Sequence, residues 1–117
     1  MNTRRGDICL VALDPVMGSE ISKTRPALIV SNDINNRFSG TLTVLPITSK
    51  NIRKIYPFEV FLQQGMGNLS KDSKIKADQI RTLDKRRFVK FIGTLDVEIM
   101  KRVETALMIH LQIKIKS

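Results

Sequence analysis

Cysteine and histidine each occur once in this 117-residue chain, as Cys9 and His110. A lone cysteine excludes an internal disulfide and any cysteine-based zinc cage, and a lone histidine excludes a His–His acid/base pair or a histidine-rich metal site. Long apolar runs are missing too. The longest, Ile8 to Leu13, has six residues and is bracketed by Asp7 and Asp14, whereas a bilayer span needs about 20 and a secretory signal core is typically longer as well. No repeat, linker or low-complexity tract interrupts the chain. One soluble, cytoplasmic domain over residues 1–117 is expected, with no membrane partner, no metal and no cofactor.

Positive charge is what the chain has in excess. Lys and Arg number 20 against 11 Asp and Glu, a formal charge of +9, and this fits a polyanionic partner such as nucleic acid, an acidic protein or an anionic membrane surface. A solvated basic surface without a specific role is the plain alternative. The excess peaks in Arg81-Thr-Leu-Asp-Lys-Arg-Arg-Phe-Val-Lys90, and residues from Asp96 onward contribute only +1 of it. Lys85-Arg86-Arg87 is expected to track a polyanion backbone or an acidic partner.

The first 95 residues read as short strands. Ile8–Leu13 closes at Asp14-Pro15, and Ala27–Val30 ends at Ser31-Asn32-Asp33. Asn35-Asn36 and Ser39-Gly40 predict a turn before the β-branched stretch Thr41–Ile47, and Pro46 within that stretch predicts an edge strand or a bulge. Phe58, Val60 and Leu62 alternate with polar or exposed positions, and Ile75 and Ala77 alternate with Lys74, Lys76 and Asp78. Gly65-Met-Gly67-Asn68 separates the two as a loop. The spacing fits a small, strongly curved β-sheet or barrel.

The period changes at the end of the chain. Asp96 can cap a helix over about 96–111 whose positions Ile99, Met100, Val103, Ala106, Leu107, His110 and Leu111 share one face. Glu98 lies in its first turn and Lys114 and Lys116 beyond its end, as the helix dipole favours. His110 on that face reads as a packed structural residue. Of the aromatics Phe38, Tyr56, Phe58, Phe61, Phe88 and Phe91, most are expected in the core, with Phe38 the best exposed stacking ring. Cys9 reads as a buried small hydrophobe.

Three polar clusters interrupt the strands: Pro15-Val-Met-Gly18-Ser19-Glu20, Lys23-Thr-Arg25-Pro26 and Pro46-Ile-Thr48-Ser49-Lys50. An arginine held at a strand end suits a phosphate, because its planar fork donates two hydrogen bonds and keeps its charge. A threonine hydroxyl nearby can hold a third oxygen.

Arg5-Gly6-Asp7-Ile8, Asp14-Pro15-Val-Met-Gly18-Ser19-Glu20 and Thr24-Arg25-Pro26-Ala27-Leu28-Ile29-Val30, in that order, resemble the MazF/PemK family of toxin endoribonucleases. The likeness continues through Asn32-Asp33, Asn35-Asn36-Arg37-Phe38, Pro46-Ile-Thr48, Tyr56-Pro57-Phe58-Glu59-Val60 and Asp78-Gln79-Ile80-Arg81-Thr82-Leu83-Asp84, and so covers nearly the whole chain. The resemblance implies a mainly β, SH3-like curved barrel of the CcdB/MazF toxin type with a C-terminal helix. It also implies a homodimer, an acidic antitoxin partner and metal-independent, sequence-specific cleavage of single-stranded RNA. By the same resemblance Arg25 and Thr48 form the catalytic pair. Gly18, Ser19, Asn32, Asn36, Phe38, Lys76, Asp78, Gln79 and Arg81 lie on the matched stretches as candidate RNA-binding residues. Lys76 stands where some members carry the arginine of a catalytic Arg-x-Asp pair.

The residues agree with that chemistry. A neighbouring 2′-hydroxyl can attack the phosphorus if the protein aligns the atoms, stabilises the dianionic phosphorane and moves protons. Arg25 suits the second task and Thr48 an equatorial oxygen. Arg25 is a poor base because its pKa exceeds about 12. Glu20 is therefore the candidate base, its alternative being a loop carboxylate paired with Lys23 or Arg25. A non-catalytic nucleic-acid-binding module and a gyrase-poisoning toxin of the same fold are the other readings. The Arg25 and Thr48 pairing disfavours the second of these.

Overall fold

A computed structural model describes residues 2–114. Its strands are β1 (Asp7–Ala12), β2 (Thr24–Ile29), β3 (Thr41–Thr48), β4 (Glu59–Leu62), β5 (Ser73–Lys76), β6 (Arg81–Asp84) and β7 (Phe88–Thr94). They form one antiparallel sheet in the order β4-β5-β3-β2-β1-β7, with β6 also paired to β3. Helix α1 (Asp33–Phe38) lies between β2 and β3, and α2 (Val97–Leu111) follows β7. The outermost strands β4 and β7 do not pair with each other. The expected barrel is therefore a curled, open sheet.

Alternation along the strands builds two aliphatic clusters. Ile8, Leu28, Leu45, Ile47 and Ile75 face α2, which buries Ile99, Met100, Val103 and Ala106 against them. Cys9, Val11, Ala27, Ile29, Val44 and Leu83 pack as the second cluster. The helix starts where the sequence indicates, with the Asp96 carboxylate accepting the Ile99 N–H at 2.9 Å. Its last turn differs from expectation: His110 is exposed, with its ring 6.0 Å from that of Phe58. Lys116 lies outside the described residues.

Three other expectations are corrected. The Asn35-Asn36 turn is α1, because the Asn32 side chain caps it by accepting the Asn35 N–H. The Pro46 strand is central, with β2 on one edge and β5 and β6 on the other. On the second edge Pro46 falls between the last β6 pairing, Val44↔Arg81, and the first β5 pairing, Ile47↔Ile75. A residue without an N–H is tolerated at such a break. The aromatics do not fill the core: Phe38, Tyr56, Phe61 and Phe91 are exposed, and Phe58 and Phe88 half-buried. Isoleucine, leucine and valine occupy the interior instead.

Cys9 is wholly buried, and burial, with Asp7 nearby, pushes its thiol up to about 11. It is an inert packing residue, as the sequence indicates.

The turn Met66–Asn68 sits beside β7 at the open side of the curl, where Asn68 Nδ2 donates to Ile92 O at 3.0 Å. Contact is so close that a Cβ on Gly93 would stand 2.2 Å from the Gly67 carbonyl oxygen. Backbone cannot yield as a flexible side chain can. Gly93→Ala should cost at least about 1–3 kcal/mol, measured by urea unfolding.

Candidate active site

The register of the sheet gathers the two residues of interest. Ala27↔Pro46 and Leu28↔Leu45 pair β2 with β3, and the same register continued two residues sets Arg25 across from Thr48. Thr48 in turn faces Lys74 on β5, which faces Phe61 on β4. Directly opposed residues of antiparallel strands project to the same side. Arg25, Thr48, Lys74 and Phe61 therefore form one row across four strands.

Arg25 is half-buried, and its Nε donates to Ser22 O at 3.2 Å. That bond fixes the plane of the guanidinium and leaves the Nη groups without a hydrogen bond among the described residues. Two N–H edges are thus available to an anion. The Thr48 hydroxyl accepts the Lys50 N–H at 3.1 Å, which directs its own proton elsewhere. A cleft of about 180 Å³ is lined by Arg25 with Ser49, Ser70, Lys71 and Ser73, and by the apolar Pro26, Ile47 and Leu69.

Glu20 does not pair with Lys23 or Arg25. Its Oε1 instead accepts the Met17 N–H at 2.6 Å, closing the turn that carries Gly18 and Ser19. All four residues are exposed. Gln79 holds this loop from the far side: its Oε1 accepts the Ile21 N–H at 2.9 Å and its Nε2 donates to Ser19 O at 3.1 Å. Arg81 donates to Leu13 O at 3.2 Å, and Arg87 to Ala12 O and Asp14 O. Gln79 and Arg81 are thus committed to the backbone of the loop.

The basic run is similarly occupied. Lys85 donates to Asn36 O at 2.7 Å, and Arg86 pairs with Asp84, which holds that carboxyl below its ordinary range. Of Lys85, Arg86 and Arg87, only Arg86 is exposed. A continuous basic track there is not what the fold builds.

Asn32, Asn36 and Phe38 lie elsewhere. They belong to the α1 region, where Asn35 Nδ2 holds Thr41 O at 3.2 Å. Thr41 and Thr48 are the two ends of β3, roughly 23 Å apart at strand rise. Asn32 caps α1, and buried Asn36 bonds Ser31 and Asp33. Phe38 is exposed beneath the Arg37 guanidinium, 5.2 Å above its ring.

Lys76 and Asp78 are 3.9 Å apart, and Asp78 Oδ1 is buried with no hydrogen-bond partner among the described residues. The stronger bond of Lys76 is to Glu59, at 3.0 Å. Glu59 also binds Lys74 at 3.0 Å, and its side chain is fully enclosed. Burial alone would raise the Glu59 carboxyl, but the Tyr56 N–H and the two lysines outweigh it and hold it below its ordinary range. Alternation had placed Lys74 on an exposed face, yet it is buried. Pairing a carboxylate with two cations across one strand pair was the signal available, since Glu59 faces Lys76 in the register.

A curled antiparallel sheet thus sets a fixed guanidinium opposite a hydroxyl, with the 13–23 loop tethered by Gln79 and Arg81. Residues 4–111 match the family described as the PemK-like, MazF-like toxin of type II toxin–antitoxin systems, and the chain belongs to it. It is 41% identical over 115 residues to endoribonuclease MazF9 of Mycobacterium tuberculosis, covering 94% of this chain and 97% of that one. It is also 41% identical over 111 residues to endoribonuclease EndoA of Bacillus subtilis, covering 95% and 96%. MazF of Deinococcus radiodurans superposes with a TM-score of 0.83 at 28% identity, covering 97% of this chain and 99% of that one. The MazE–MazF complex from the same organism superposes with a TM-score of 0.76, also at 28% identity, covering 97% and 99%.

Proposed function

We propose that this toxin is an endoribonuclease that cuts single-stranded RNA at preferred sequences, with the 2′-hydroxyl of the substrate as nucleophile. The observation that carries the reading is Arg25 set across from Thr48 in the β2–β3 register, its guanidinium plane fixed by Ser22 O. The two similar proteins named endoribonucleases support it.

In the reaction O2′ loses its proton to a base and bonds to phosphorus. The P–O5′ bond breaks, and O5′ takes a proton. The products are a 2′,3′-cyclic phosphate and a free 5′-hydroxyl. Arg25 stabilises the dianionic phosphorane through its Nη groups, as charge-assisted donors aimed at developing charge do. The Thr48 proton serves a second oxygen. Glu20 is the base, through the oxygen that Met17 does not hold. Gly18 and Ser19 meet the RNA from the loop, while Gln79 and Arg81 keep that loop in place. Sequencing of 5′ ends after a diverse RNA pool meets the protein in chelator tests the reading: unphosphorylated ends at a recurring sequence are expected. An uncut pool refutes it.

The toxin works as a homodimer whose contact face is apolar, since two subunits of charge +9 repel elsewhere. The apolar residues Val30, Ile80, Leu107, Leu111 and Ile113 line a groove of about 510 Å³, together with Arg5, Ser31, Asn32, Asn35 and Thr43, and are the candidate contact. Sedimentation should show twice 13.3 kDa at micromolar concentration, and a lone 13.3 kDa species would refute the dimer. The antitoxin is an acidic protein segment that orders on the basic groove and occupies Arg25 with a carboxylate. The MazE–MazF complex of the Deinococcus relative supports a protein partner of this kind.

A further inference from the structure

Glu59 and Lys74 are enclosed charges that the cleavage chemistry leaves unused. Their side chains are 0% and 4% exposed, and charges are kept from water at a cost unless every donor and acceptor finds a partner. Their partners are informative. Lys74 Nζ donates to Lys54 O at 3.1 Å, and Glu59 Oε1 accepts the Tyr56 N–H at 3.0 Å. Glu59 N also donates to Tyr56 O at 2.9 Å. The ion pair therefore grips the backbone of the connection between β3 and β4 near its end.

The start of that connection carries Lys50, whose N–H occupies the Thr48 hydroxyl oxygen at 3.1 Å. Between the two anchors the chain has no strand or helix and exposes Lys50, Arg53 and Lys54. Lys74 is also the residue directly opposite Thr48 in the β3–β5 ladder. The hydroxyl and the pair that holds its loop thus lie on adjacent strands.

We infer that the buried Glu59–Lys74 pair is a positioning device: it fixes the 49–58 loop so that the Lys50 N–H orients the Thr48 hydroxyl and the loop cations stay beside the RNA. This rests on the proposed ribonuclease function. Lys76 bonds the other Glu59 oxygen at 3.0 Å, so loss of Lys74 does not orphan the carboxylate.

The variant is Lys74→Met, which keeps the stem and removes the donors. Tryptic cleavage after Arg53 or Lys54 should become several-fold faster while cooperative unfolding persists. Its kcat/KM on RNA should fall by roughly 10²-fold, the scale of a misplaced reacting geometry. In a Thr48→Ala background the same change should cost far less, because the hydroxyl it orients is gone. An equal loss in both backgrounds, or unchanged tryptic protection, overturns the inference. Should Lys74→Met fail to fold, the double variant Glu59→Gln/Lys74→Met, which removes both charges of the buried pair together, is read by the same two measurements. A wild-type protein that cuts no RNA removes the proposed function and the catalytic half of this inference with it. The tryptic comparison then still decides whether the pair holds the loop.

Discussion

Arg25→Ala should reduce RNA cleavage by about 10²–10³-fold, the usual loss when a donor to a developing oxyanion is removed, and leave the fold intact. The stability half follows from where the side chain sits. Its stem is half-buried at the start of β2, and its one side-chain hydrogen bond among the described residues is to Ser22 O. Truncation opens no cavity in either aliphatic cluster, so the melting curve should hardly move. The activity half follows from the free Nη edges, which no other side chain in the row can replace. Lys74 is the nearest cation in the register, but its ammonium is already bound to Glu59 and Lys54 O. Thr48→Ala should lose less than Arg25→Ala, because a neutral hydrogen bond is roughly half as strong as a charge-assisted one. Glu20→Gln should lower turnover with RNA affinity unchanged. Single-turnover rates on one oligonucleotide, beside filter binding, separate these effects. An Arg25→Ala protein with near-normal turnover would remove the phosphate-site argument.

A single 2′-deoxynucleotide 5′ of the scissile phosphate should abolish cleavage altogether and leave binding almost unchanged. Phosphates and bases, which carry the affinity of a basic protein for single strands, are identical in the two oligonucleotides. Only the nucleophile is missing. Ordinary RNA should be cut equally well in excess chelator, leaving fragments with 5′-hydroxyl ends that accept phosphate from a kinase directly. Cutting of the deoxy-substituted strand, or fragments already bearing 5′-phosphates, would make water the nucleophile. Glu20, Asp14 and Asp78 would then be the carboxylates to examine.

Much of the fold was legible because it depends on local periodicity. The Ile8–Leu13 run, the alternation around Val60 and Ile75 and the Asp96-capped helix each follow from a rule confined to a few neighbours. Features that depend on distant pairing were not legible. Pro46 reads as an edge marker until β3 is seen to exchange β6 for β5 at that point. Lys74 reads as solvent-facing until Glu59, fifteen residues away, appears beside it. The candidate site divides the same way. Arg25 and Thr48 stand out through resemblance and are joined by the register of two strands. Gln79 and Arg81 stand out too, but an amide or guanidinium bound to a carbonyl looks in sequence like one awaiting a ligand.

The loop from Leu13 to Lys23 is anchored by packing of Leu13, Val16 and Ile21 and, around its exposed tip, through its backbone. Gln79, Arg81 and Arg87 grasp carbonyls and one N–H, and Leu13 N bonds Lys23 O at 2.9 Å. Peptide groups are the same whatever side chains they bear. Substitutions at exposed Met17 or Ser19 therefore leave those fastenings intact, whereas Gly18, at φ +53°, tolerates a side chain poorly. The outward face of this loop can therefore change by point substitutions at Met17 and Ser19 while Arg25 and Thr48 keep their places in the sheet.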